Sequence, residues 1–170
     1  MPATGADTIA DNIKEFGGGF TRHATKVMKN ATKLLYKEVT KNISLTDHSL
    51  EDLARLGHPY ARRHGPEGAG IHQPPWLVHK QSGKLLKSRY QGSSDAEVTN
   101  GQLVVSGWVG LNPDEAPHAL AVIFGTWRMI PRDALRGSLA DSGLQKNVRN
   151  LFSKDLRDMV INFKGVETHG

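Results

Sequence analysis

The chain contains no cysteine. Disulfides, thiolate metal sites and cysteine nucleophiles are therefore excluded. Aromatic residues are scarce, at 6% of the 170 positions, and hydrophobic residues make up 38%. That is enough apolar material for a modest core and too much for a disordered chain. No long apolar run is present. The longest, Ala119 to Phe124, falls far short of the roughly 20 residues that a membrane span requires. The first residues are polar, unlike a secretory signal. The length fits the prior of about 100–200 residues per domain. The expectation is a basic, single-domain protein, made and kept in the cytosol, without membrane attachment.

What the chain has is glycine (18), proline (8) and an excess of cations, with a net charge of +5. The excess is concentrated. Between Arg22 and Lys41 lie six cations, Arg22, Lys26, Lys29, Lys33, Lys37 and Lys41, and one anion, Glu38. The lysines recur three or four residues apart. At about 100° per residue this spacing puts them on one arc of a helix. Ala24, Val27, Met28, Ala31, Leu34, Leu35, Val39 and Ile43 occupy the opposite arc. The pattern predicts an amphipathic helix of about 22 residues with a lysine stripe. Such a stripe is either a solvated face or a surface for phosphates or an acidic partner. No aromatic interleaves it to stack bases.

Residues 1–19 read as a flexible N-terminal arm, with Gly17-Gly18-Gly19 as a break between a short helical stretch (Ile9, Ile13, Phe16) and the long helix. Residues 20–170 read as one α+β domain. Ser49 can cap a short helix that ends near Gly57 and Pro59. A long Gly/Pro/His/Arg-rich loop follows at about 58–75, of a length that usually serves function or contacts a partner. Trp76-Leu77-Val78 and Leu85 to Gln91 read as strands. Asn100-Gly101 is a hairpin signal between Ala96–Val98 and Leu103–Val109. An antiparallel meander is expected. Pro117 to Phe124 then predicts a short helix ending at Gly125. Trp127 to Ile130 predicts a strand, and Pro131 to Leu139 a turn or helical turn. A last helix from about Leu144 to Phe163 carries Val148, Leu151, Phe152, Leu156, Met159, Val160 and Phe163 on one apolar, core-facing side.

Signatures of catalysis are few. The eight histidines form neither H-x-x-x-H nor H-E-x-x-H, and their loop spacings match no ligand pattern. There is no G-x-S-x-G elbow. Gly68-Ala69-Gly70 lacks the rest of a dinucleotide fingerprint, and no phosphate-binding G-x-x-x-x-G-K-[ST] loop occurs. No catalytic residue, metal site or cofactor is expected. Trp76, Trp108 and Trp127 read as core or sheet-packing residues, with base stacking the lesser alternative.

Two stretches carry a family likeness. The first is Ser82-Gly83-Lys84-Leu85-Leu86-Lys87-Ser88, preceded by Pro75-Trp76-Leu77-Val78-His79. The second comprises Ala119, Phe124-Gly125-Thr126, Met129-Ile130-Pro131-Arg132 and Leu135. Together they resemble the tail-completion, or head–tail joining, proteins of long-tailed bacteriophages, also described as minor tail components. That family carries [ST]-G-x-L-x-x-S before a β-meander, then A-x-x-x-E-F-G-T, a short M-x-x-R-P-F-L stretch and a final helix. The likeness follows element order over about residues 20–163. It departs from the pattern at His118, where tyrosine is common, at Ile123, where glutamate is usual, and at Asp133-Ala134 in place of Pro-Phe. The segment His58 to His64 is an insertion.

The resemblance implies a small antiparallel sheet packed against a long N-terminal and a C-terminal helix. It implies a structural virion protein of the neck, assembled in the host cytoplasm into a six- or twelve-fold ring. Its neighbours would be copies of itself, adjacent neck, portal-adaptor or tail proteins, and DNA passing through the channel. Gly83, Leu85, Ser88, Phe124, Gly125, Thr126 and Arg132 become motif and interface candidates. In physical terms Gly83 permits a turn into a strand beginning at Leu85. Phe124-Gly125-Thr126 ends a helix with an apolar anchor and a C′ glycine. Arg132 at a helix start opposes the helix dipole, which points to an acidic partner elsewhere, on a neighbouring subunit for instance. The rival expectation is a basic, sequence-nonspecific nucleic-acid-binding protein. A third, a metal-dependent enzyme using loop histidines, would require a stoichiometric metal.

Overall fold

The structure is a computed structural model that describes residues 5–44, 78, 82–126 and 131–162. Its first element, α1 (Gly5–Asn42), is 38 residues long. The expected arcs are present. Arg22, Lys26, Lys29, Lys33, Lys37 and Lys41 are all exposed, while Val27, Ala31, Thr32, Val39 and Ile43 are buried. The break predicted at Gly17-Gly18-Gly19 is absent, and α1 runs through it without interruption. Each glycine costs a helix about 0.5–1 kcal/mol relative to alanine. Once a helix has nucleated, each added residue gains a hydrogen bond, and the long helix on the C-terminal side offers that continuation.

The other described elements, apart from the last helix, are short. They are α2 (Lys84–Lys87), β1 (Arg89–Ser93), β2 (Glu97–Thr99), β3 (Gln102–Val104) and β4 (Gly107–Leu111). There follow α3 (Ala119–Phe124), α4 (Ala134–Ala140) and α5 (Ser142–Asn162). The fold class is α+β, with a small antiparallel β region. The strands do not form a meander. β1 pairs with β4 and β2 with β3, two sheets of two strands each, which makes a hairpin nested within a hairpin. At the inner tip Asn100 (φ 53°) and Gly101 (φ 75°) both take left-handed conformations, as a two-residue type I′ turn requires. Glu97, Val98 and Thr99 face Val104, Leu103 and Gln102.

The strand expected over Leu103–Val109 is interrupted at Val105–Ser106, because three residues, 94–96, lie across from these two. The surplus residue acts as a bulge and ends the pairing locally. The Ser94 amide donates to the Ser106 carbonyl at 2.9 Å, and the Ser106 amide donates to the Ser94 hydroxyl at 3.0 Å. The strand expected from Leu85 likewise begins later, at Arg89, after the turn of helix α2.

The chain divides into two compact units. One comprises residues 1–32, 92–108 and 146–170, and the other residues 33–91 and 109–145. In the first unit, the Ala96 amide donates to the Thr25 hydroxyl of α1 at 2.9 Å, and Ala96 is buried. The Lys29 ammonium lies 3.8 Å from the Asp95 carboxylate. Along α5, Val148, Leu151 and Phe152 are half-buried and Met159 is buried, but Leu156 and Ile161 are exposed. The α5 face is therefore only partly covered, where the periodicity predicted a core helix.

The second unit holds the principal core. Val39 and Ile43 from the end of α1 pack with Val78, Leu85, Ala116, Ala119, Val122 and Ala134. Leu35, Leu86, Val109, Leu111 and Leu135 border this cluster. Aspartates cap the starts of the last two helices. Asp133 Oδ1 accepts from the Arg136 amide at 2.9 Å for α4, and Asp141 Oδ1 accepts from the Leu144 amide at 2.7 Å for α5. The predicted helix after Ser49, the loop at about 58–75 and the strands at Trp76–Leu77 and Trp127–Ile130 lie outside the described residues.

Candidate functional site

Both motif stretches fall in the second unit, and they share its core. Gly83 precedes α2 with φ 75° and ψ 1°, a left-handed conformation that turns the chain into the helix. Leu85 is buried in the core cluster. Ser88 is 1% exposed, and its hydroxyl donates to the Leu85 carbonyl at 3.0 Å. The Ser88 carbonyl accepts from the Asn112 amide at 2.7 Å. The Asn112 carbonyl then accepts from the Ala116 amide, and the Ala116 carbonyl from the Ala119 amide, at 3.1 and 2.8 Å. This short chain of backbone bonds links the first motif to the start of α3. From within α3, the Val122 carbonyl accepts from the Arg132 amide at 2.7 Å.

The motif residues thus divide by role. Leu85, Ser88 and Arg132 are buried and build the unit rather than its surface. Arg132, an interface candidate expected to pair with an acid elsewhere, is 5% exposed. Gly125 ends α3 with φ 71° and ψ −178°, a backbone region that is essentially confined to glycine. Phe124 is not the inward anchor expected of it. It is 71% exposed, because the six-residue α3 is apolar on all sides and buries only the side bearing Ala119, Val122 and Ile123. Thr126 is exposed beside it.

Around Phe124 lies an open groove of about 520 Å³, lined mainly by apolar side chains. Tyr90 and Leu111 come from the β1–β4 ribbon, Leu120 and Phe124 from α3, and Leu135 and Leu139 from α4. Asp133 and Arg136 supply the charged groups of its lining. Tyr90 is seated against Gly110, where an added Cβ would fall 2.5 Å from the ring. A glycine on β4 therefore lets this tyrosine lie across the strand and form one wall. Tyr90, Leu120 and Leu139 are each about half exposed. Part of the apolar surface of α3 and α4 is therefore open to solvent along this groove.

Of the groove's lining, the candidate residues read from the sequence include Phe124 and leave out Tyr90, Leu120, Leu139, Asp133 and Arg136. No sequence signal marks them, because a six-residue helix that is apolar all round does not show in its pattern which side the core takes.

The lysine stripe belongs to α1. Arg22, Lys26 and Lys29 fall in the first unit, and Lys33, Lys37 and Lys41 in the second. Lys41 pairs with Glu38 at 3.3 Å, one helical turn away. Near the same end of α1, the Arg89 guanidinium stacks over the Tyr36 ring at 4.8 Å and donates to the Thr40 hydroxyl and the Leu86 carbonyl. Arg89 therefore ties β1 to α1 by a cation–π contact and one hydrogen bond, and to α2 by the other.

A second, smaller pocket of about 200 Å³ lies in the first unit. Phe20, His23, Val27, Leu103, Phe152 and Asp155 are among its lining residues. His23 Nδ1 and Asp155 Oδ2 are both buried without a hydrogen-bond partner. Among the described residues, no group of three or more His, Asp or Glu side chains is placed to hold a metal ion. No described helix is long and apolar enough to cross a membrane. No protein-family model matches this chain, and neither a curated protein nor a solved structure matches it.

Proposed function

We propose that this protein is a structural component of a tailed-bacteriophage neck, acting by docking to copies of itself and to adjacent head or tail proteins, without converting a substrate. One observation carries the reading. The two stretches that resemble the tail-completion family share a single core, and Phe124 of the second stretch stands in an open apolar groove. A ring built from such a chain uses heterologous interfaces, in which two different patches meet repeatedly around an axis. An exposed apolar groove supplies one of the two patches. Mass spectrometry of purified particles, with deletion of the gene, tests the proposal. The expected outcome is a particle-bound protein whose loss leaves filled heads and unattached tails. Normal, infectious particles lacking the protein would overturn it.

A second reading is favoured by the six exposed cations of α1. In it the protein is a sequence-nonspecific nucleic-acid binder. Its affinity would then fall steeply with salt as counterions are released. A filter-binding series across salt concentrations separates the two readings.

A further inference from the structure

We infer that α1 is a two-state helix, hinged at Gly17-Gly18-Gly19, whose residues 5–16 unwind while the rest of the chain stays folded. The hinge is independent of both functional readings above. α1 is continuous in the structure, yet neither of the usual structural reasons for glycine applies to these three. Among the described residues the glycines with positive φ are Gly83, Gly101 and Gly125, so no left-handed conformation requires glycine at 17–19. An added Cβ at any of the three would meet nothing within 4 Å, so no close approach requires it either. What three successive glycines supply here is a freer backbone and a lower helix propensity than any other residue but proline.

The glycines stand where the packed part of α1 begins. On their N-terminal side Asp11 and residues 13–16 are exposed. Ile13 is 67% exposed, and Phe16, which has an interaction within the chain, is 37% exposed. On their C-terminal side Phe20, His23 and Val27 line the pocket shared with Leu103 and Phe152, and Val27 is buried. Opening at the glycines therefore uncovers little and leaves the packed part of the helix in place. Isolated helices shorter than about 12–15 residues are marginal in water, so residues 5–16 unwind once they are cut off.

Thr21 serves both states. In the closed helix its hydroxyl donates to the Gly17 carbonyl at 3.0 Å, a back-bond that slightly destabilises a helix and favours bending. With the hinge open, the helix starts at Arg22 and Thr21 is its N-cap. The amides of His23 and Ala24 then lack carbonyl partners, and the same hydroxyl accepts from one of them. One side chain satisfies a backbone group in each state, which keeps the two states close in free energy.

Hydrogen exchange of the full chain, resolved amide by amide by NMR, tests the hinge. In the wild type, residues 9–16 should be at least about tenfold less protected than residues 25–32. Replacing all three glycines with alanine should raise protection of residues 9–16 by about ten- to a hundredfold, through the helix propensity gained. Residues 25–32 should not change. Thr21→Val separates the hinge from simple fraying. Valine matches threonine in helix propensity but cannot cap, so it destabilises only the open state. Protection of residues 9–16 should then rise about fivefold, and Thr21→Ser should keep the wild-type value. Equal protection on both sides of the glycines in the wild type would overturn the inference. So would no gain with the three alanines, or unchanged or lower protection in Thr21→Val.

Discussion

The side-chain amide of Asn42, the last residue of α1, donates a 2.8 Å hydrogen bond to the hydroxyl of Ser138 in α4, and both residues are buried. The Ser138 hydroxyl in turn donates to the Ala134 carbonyl at 2.6 Å, and the Asn42 carbonyl accepts from the Val78 amide at 2.8 Å. One polar pair therefore joins segments 96 residues apart in sequence inside an apolar core. Asn42→Ala is expected to cost about 1–3 kcal/mol, because burial leaves no water to replace the lost bond. In a chain of this size that lowers the melting temperature by about 2–4 °C per kcal/mol. A double-mutant cycle with Ser138→Ala should give a coupling energy of about 0.5–1.5 kcal/mol. Strict additivity of the two substitutions would show that the bond contributes nothing.

Glycine substitutions should change stability in opposite directions at two places. At Gly125, φ 71° with ψ −178° is strained for any residue with a Cβ. Gly125→Ala should destabilise by about 1–3 kcal/mol. At Gly18 the backbone is helical, and an added Cβ would meet nothing within 4 Å. Gly18→Ala should stabilise by about 0.5–1 kcal/mol. Urea unfolding of both variants measures the two changes. A loss of stability in Gly18→Ala would mean that the continuous α1 does not persist in solution.

Local rules explain which elements were legible from the sequence. Asn100-Gly101 marked its hairpin because few residues tolerate two successive left-handed conformations. The alternation of lysines with Val27, Ala31 and Val39 marked the two faces of α1. Asp133 and Asp141 stand where N-cap preferences put them, and this signal was available but unused. Other features depend on competition between distant parts. The triple glycine reads as a break only while the helix on its far side is ignored. The meander is absent because Arg89–Ser93 and Glu97–Thr99 run on as one side of a single two-stranded ribbon instead of turning back on each other, and periodicity within a strand does not choose its partner. The groove was hidden because exposure of Leu120, Phe124 and Leu139 follows from which side of α3 and α4 the core takes. Pattern alone does not decide that for a helix of six or seven residues.

His23 Nδ1 and Asp155 Oδ2 face an opposite prediction to Asn42. Each is buried without a hydrogen-bond partner in a pocket otherwise lined by Phe20, Val27, Leu103 and Phe152. An unsatisfied buried polar atom costs about 1–3 kcal/mol, and replacing it by an apolar group of similar size removes that cost. The double variant His23→Leu/Asp155→Leu should therefore unfold at a higher temperature than the wild type, with each single substitution giving part of the gain. The pocket, at about 200 Å³, leaves room for the new side chains. A lower unfolding temperature in both single variants would indicate that ordered water satisfies these atoms in solution.

The stripe on α1 distinguishes docking from solvation. Lys29, Lys33 and Lys37 are exposed, and the contact of Lys29 with Asp95 joins two side chains that are both more than half exposed. Exposed pairs of this kind contribute about 0–1 kcal/mol, and exposed substitutions usually stay within about 0.5 kcal/mol. Replacing all three lysines with glutamate should therefore leave the melting temperature nearly unchanged. In the neck reading it should block head–tail joining in complementation with the variant gene, by turning attraction to an acidic neighbour into repulsion. A strongly cationic bore would retard exiting DNA, which favours a protein neighbour over the channel. If the variant particles join at the normal yield, the stripe is a solvated face. If instead the wild type binds DNA with log K falling against log salt at a slope near about −5, all six cations are engaging phosphates, and the nucleic-acid reading displaces the neck.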